Sequence, residues 1–125
     1  MAIKYFEVPI TVDTNGDGIG YTPVFSGRIS SIRYVKDGSN GYSNGVDFAI
    51  TSELTGATVW AQNDVNASAT VAPRQPTHST AGAAALYAGS GTAVNDKIVL
   101  AADRVKIVVS SGGSKTTGKF YVTVE

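Results

Sequence analysis

The 125-residue chain has no cysteine, one histidine, one methionine and one tryptophan. Without cysteine there is no disulfide framework, no thiolate metal site and no thiol nucleophile, and one histidine cannot build a zinc site by itself. Charge is equally sparse. Ten Lys plus Arg balance ten Asp plus Glu, so only 16% of residues are charged and the formal net charge is zero. With no basic run, the chain lacks what attachment to nucleic-acid phosphates or anionic lipid requires. Nowhere do about 18 apolar residues follow one another, and Lys4 and Glu7 interrupt the N-terminal MAIKYFEVPI too early for a signal-peptide core. The expectation is a protein made and folded in the cytoplasm that binds neither nucleic acid nor membrane.

Leucine and methionine are scarce too. Three Leu and one Met stand against 15 Val, 8 Ile and 13 Thr, residues that suit pleated, half-buried surfaces. A chain of this length buries roughly 65% of its unfolded surface as a single domain, which here spans residues 1–125.

Strict alternation of apolar and polar residues recurs along the whole chain. Phe6, Val8, Ile10 and Val12 share one face, and Pro9 on the other marks an edge strand. Asn15-Gly16-Asp17-Gly18 is a hairpin signal leading into a strand at 19–25. Gly27 then separates that strand from the next, at 28–36, and residues 37–45 form a Gly/Asn-rich loop. Val46, Phe48 and Ile50 alternate in a fourth strand, with 53–56 as its turn. Residues 58–61 and 65–71 read as another hairpin, and 72–82, with two prolines and no periodicity, as the longest loop. At 83–88 a short Ala-rich helix competes with a strand. Ile98 to Leu100, then Val105, Ile107 and Val109, then Phe120, Val122 and Val124 complete the pattern, the last two runs pairing across Gly112-Gly113. The fold expected is all-β: a two-sheet sandwich, jelly-roll or immunoglobulin-like, or a small barrel of eight to ten short strands. Phe6, Val8, Ile10, Phe48, Ile50, Val105, Ile107, Phe120 and Val122 are expected in its core.

Motifs for chemistry are present only in fragments. Asp13-Thr14-Asn15-Gly16-Asp17-Gly18 matches the first half of a calcium loop, but the closing carboxylate position holds Val24, and a tight turn wants the same residues. Gly41-Tyr42-Ser43-Asn44-Gly45 matches the nucleophile elbow, with His78 downstream, yet no strand-turn-helix context surrounds it. Lys115-Thr116-Thr117-Gly118 resembles a K-T-G motif with one threonine too many, and reads as a hairpin tip. These readings predict no enzyme, no cofactor and no metal. Trp60, Tyr42, Tyr87, Tyr21 and Tyr34 could form a sugar-stacking platform or serve as core and cross-strand partners. The candidate interface comprises Pro73, Arg74, Gln75, Pro76 and His78 in the proline-bounded loop, with Tyr87 beyond it. Stiff loops lose little entropy on docking, and arginine makes a multi-donor anchor.

SGRISSIRYVKDG at 26–38, NGVDFAIT at 44–51, NDVNASATVAPRQPTHSTAGAAALYAG at 63–89 and the ending DRVKIVVSSGGSKTTGKFYVTVE together resemble small virion proteins encoded in the structural modules of tailed bacteriophages. The resemblance runs nearly end to end. It implies a capsid decoration or cement protein, a β-rich trimer that sits on the outer head surface and bridges neighbouring capsomers, with the major capsid protein as partner. It also leaves open a tail or baseplate component, and the aromatic set leaves open a carbohydrate-binding adhesion module. Low charge suits a subunit repeated by symmetry, since like-sign patches brought together would repel.

Overall fold

A computed structural model of the chain describes residues 3–125; Met1 and Ala2, which open the N-terminal stretch read above, lie outside the described residues. The structure is all-β, with no helix among the described residues and two antiparallel sheets. The strands are β1 (Lys4–Thr11), β2 (Gly18–Tyr21), β3 (Phe25–Lys36), β4 (Asp47–Ser52), β5 (Thr58–Gln62), β6 (Ala69–Val71), β7 (Arg74–Pro76), β8 (Asn95–Asp103), β9 (Val105–Ser110) and β10 (Thr117–Val124). One sheet runs β1-β10-β3-β8-β7, with β6 also paired to β3; the other runs β2-β9-β4-β5. β1 is an edge strand, as Pro9 requires, because proline has no N–H to give a second neighbour.

The inner faces meet in one core. Val8 and Ile10 of β1, Ile29, Ile32 and Tyr34 of β3, and Phe120, Val122 and Val124 of β10 pack against Phe48 and Ile50 of β4 and Val105, Ile107 and Val109 of β9. Burial alternates residue by residue in β4, β9 and β10, so the period-2 reading located the core face correctly. Phe48 is the hub: its ring lies edge-on to Tyr34 at 4.7 Å, Phe120 at 4.9 Å and Trp60 at 5.7 Å between centroids. Phe6 departs from expectation. It is half-buried, packing against the core and Phe25 at 5.3 Å, because an open groove lined also by Lys4, Ser26 and Glu125 leaves part of it uncovered.

Partner strands differ from expectation in a consistent way. The three expected hairpins, at 13–18, 62–65 and 110–117, are crossovers between sheets: β1 pairs β10 while β2 pairs β9, β5 pairs β4 while β6 pairs β3, and β9 and β10 never pair. The turn at 13–18 closes locally, Asp13 N donating to Asp17 O at 2.9 Å, and its strands then diverge. Its tip docks on the β9–β10 crossover: Gly112 N donates to Gly16 O at 3.0 Å, and Lys115 N to Asp13 O at 3.0 Å. A Cβ on Gly16, which has φ +86°, would stand 2.9 Å from Gly112 N, so glycine is needed there for both conformation and closeness. β2 makes a second close approach: a Cβ on Gly20 would come within 2.7 Å of Ile10 and 2.8 Å of Val8, which fill that space.

β3 is longer than expected. It runs through Gly27 with a register shift against β8, then gives the same edge to β8 over Phe25–Ile29 and to β6 over Ile32–Tyr34. The segment 72–82, expected as aperiodic loop, contains β7, Arg74–Pro76, paired with Lys97–Asn95 of β8. The helix considered at 83–88 is absent. Those residues form extended bridges instead, Ala84 to His78 and Leu86 to Ala93, because six residues gain too little from fewer than two helical turns to outweigh pairing on both sides.

Candidate functional site

Beyond the core, residues 77–94 form an arm of two successive ribbons. Ala85 N donates to Thr77 O at 2.8 Å, Val94 N to Ala85 O at 2.9 Å and Thr77 N to Val94 O at 2.8 Å, so the three segments are laced by main chain alone. Turns at 79–82 and 88–91 reverse the direction. From residue 66 to residue 97 no side chain is fully buried, and between Asn66 and Asn95 Arg74 is the single charged residue. Leu86 is 41% exposed and Tyr87 76% exposed, just before the second turn.

Of the expected interface residues, Arg74, Gln75 and Pro76 form the edge strand β7, whereas His78 and Tyr87 lie on the arm. Arg74, Pro76, His78 and Tyr87 are exposed, and Pro73 and Gln75 half-buried. Arg74 has an internal task. Its Nη1 donates to Ser30 O at 3.2 Å and Pro73 O at 2.8 Å, and Ser30 lies where β3 passes from β8 to β6 as neighbour. The guanidinium thus fills a gap in the ladder, since an unpaired carbonyl at that junction would cost free energy.

The candidate chemical motifs dissolve into structural parts. Asp13 Oδ1 accepts from Asn15 N at 2.8 Å and Asp17 N at 3.0 Å, an Asx turn. Tyr42 of the Gly-x-Ser-x-Gly stretch is buried and donates to Ile10 O at 2.6 Å. Ser43, exposed, uses its backbone N–H on Gly112 O, while His78 sits on the arm bridged to Ala84. Lys115, with φ +53°, lies on a crossover and not at a hairpin tip. Among the described residues no three His, Cys, Asp or Glu side chains converge.

One buried acid remains, Asp103, 5% exposed at the β8–β9 corner. Ser52 Oγ donates to one carboxylate oxygen, and Leu54 N and Arg104 N donate to the other at 3.0 and 2.7 Å. Burial pushes its pKa up, but these three donors outweigh burial and hold it below the usual aspartate range. An acid so fully committed is a poor proton acceptor and a good corner brace. Tyr34, wholly buried, is pushed up to about 12 by desolvation, and its hydroxyl has no partner among the described residues. Burial, then the neighbouring Tyr34, raises Tyr42 as well.

The aromatic row weighed as a sugar platform does not form: Trp60, Tyr42 and Tyr34 are in the core, leaving Tyr21 and Tyr87 exposed. A different aromatic pair stands on the outer face of the larger sheet. Tyr5 and Tyr121 lie 6.1 Å apart, with the Arg33 guanidinium 5.5 Å from the Tyr121 ring centre. Reading the strands by their apolar phase passed over them, because each occupies the polar phase: Tyr5 with Glu7, and Tyr121 between Phe120 and Val122. A tyrosine in the polar phase was the available signal.

No protein-family model and no curated protein sequence matches the chain. Among solved structures, the crystal structure of FLHE is similar over 100% of this chain and 99% of its own, at 10% sequence identity and a TM-score of 0.46. A likeness at that level carries no functional argument.

Proposed function

We propose that the chain is a non-enzymatic structural protein of a tailed-phage virion, a decoration protein that binds the outer head surface as a trimer and contacts the major capsid protein. The end-to-end resemblance of its sequence to such proteins favours this class. The observation that carries it furthest is the arm: an ordered, nearly charge-free extension that adds nothing to its own core and presents Leu86 and Tyr87 to solvent. A β-ribbon without a buried face is marginal alone, whereas one that docks on a neighbour recovers the burial its own fold withholds. Uncharged surface also avoids the desolvation penalty of burying ions between subunits.

Immunogold labelling of purified virions should mark heads, and light scattering of the purified chain should give a trimer. Added to undecorated heads, the Tyr87→Ala variant should fill sites at least about tenfold less readily than the parent, a hot-spot-sized loss. Labelling confined to tails would move the chain to the tail, and absence from the virion would refute the reading.

A further inference from the structure

The outer face of the six-stranded sheet carries a groove of about 470 Å³, within the size range of small-ligand sites. Strand register builds it. Tyr5, Thr123 and Ser31 form one row across β1, β10 and β3, and Glu7, Tyr121, Arg33 and Thr70 form the next, extending to β6. The Tyr5 and Tyr121 rings, inclined at 51° to each other, both line it. Tyr5 is 67% exposed, so its ring is open to a ligand.

We propose that this groove binds an acidic polysaccharide, with sugar rings stacked on Tyr5 and Tyr121 and a uronate carboxylate on Arg33. Three features select that chemistry. Sugar rings offer apolar C–H faces ringed by hydroxyls, which suits tyrosine faces in a wet setting, and the Ser31, Thr70 and Thr123 hydroxyls both donate and accept. The groove lining contains Lys4 and Arg33 and no carboxylate, a positive patch on a formally neutral chain. Glu7, the acid in the Tyr121 row, is engaged by Lys119 at 3.3 Å, whereas Arg33 makes no ion pair among the described residues. A guanidinium held by an aromatic ring presents its planar fork to a carboxylate. Single-stranded nucleic acid could also stack on tyrosines, but two cations are few for a polyphosphate backbone. The site does not depend on where the chain is mounted, so it stands or falls separately from the virion reading.

The test is native affinity electrophoresis of the full chain in gels containing polygalacturonate, alginate or hyaluronate, with dextran as the neutral control, dextran sulfate as a charge control and oligo(dT) for nucleic acid. At least one uronate polymer should retard the protein more strongly than dextran, dextran sulfate or oligo(dT). Tyr5→Ala and Arg33→Met should each weaken that retardation by about tenfold, while Tyr5→Phe leaves it intact; unchanged melting temperatures establish that the variants are folded. Tyr121→Ala provides a second aromatic probe from a different strand. Failure of all three uronate polymers would overturn the proposal. So would uronate binding indifferent to both Tyr5→Ala and Arg33→Met, or preference for oligo(dT) or dextran sulfate.

Discussion

The sandwich and the 77–94 arm are held together by different forces. Strands β4, β9 and β10 of the sandwich put every second side chain into a shared apolar core, and Phe48 alone touches four other aromatic rings. The arm buries no residue fully and relies on main-chain hydrogen bonds such as those of Thr77, Ala85 and Val94. Each such bond contributes little net, about 1 kcal/mol, because water competes for both partners. The body is therefore built for stability, and the arm for what it can reach. The arm should open locally while the core stays closed.

The largest effect should come from the hub of the body. Phe48→Ala should cost about 4 kcal/mol in urea-melt stability, since the void it leaves is walled by rigid rings. An effect as small as that of an arm substitution would erase the distinction between the regions. Asp103→Ala comes next at about 2 kcal/mol, because Ser52 and two main-chain N–H groups lose their acceptor. Asp103 also gives the body an acid limit. Its folded pKa lies below the ordinary value, so its stabilising contribution is complete above the usual aspartate pKa of about 4 and disappears as pH falls through the depressed value. Melting curves of Asp103→Asn against pH should lack that part of the acid limb.

Tyr34→Phe should move the other way, raising stability by about 1 kcal/mol, since it removes a buried hydroxyl that finds no partner among the described residues and keeps the ring against Phe48 and Phe120. At the small end, Tyr87→Ala on the arm should change the stability of the isolated chain by less than about 0.5 kcal/mol. Native-state hydrogen exchange can sharpen the contrast: the amides of Thr77, Ala85 and Val94 should exchange by a route nearly insensitive to low denaturant, and those of β3 and β10 only through global unfolding. Equal protection of both sets would show that arm and body unfold as one unit.

Much of the site was legible in part. Residues 74–76 of the proline-bounded segment pair at the edge of the larger sheet and His78 and Tyr87 lie on the arm beyond, but the reach of exposed Arg74 to Ser30 O depends on a split in the β3 edge that no local pattern records. Tyr5 and Tyr121 each stand out as tyrosines in a polar phase, but their meeting with Arg33 is not legible for the same kind of reason: residues 5, 33 and 121 come together through strand register, which depends on distant partners.

What the sequence determined by itself was the class of structure and the inward face of the main core strands. Alternation of Val, Ile and Phe with polar residues is a period-2 signal that survives any choice of neighbour, and Pro9 placed β1 at an edge because a missing N–H acts locally. Tertiary structure decided the pairing. A turn such as Asn15-Gly16 reverses the chain whether the strand that follows returns alongside its predecessor or crosses to the opposite sheet. That choice rests on the apolar face of each strand finding cover across the sandwich, and on close contacts such as Gly16 against Gly112 and Gly20 against Ile10, which exist only once both sheets are assembled.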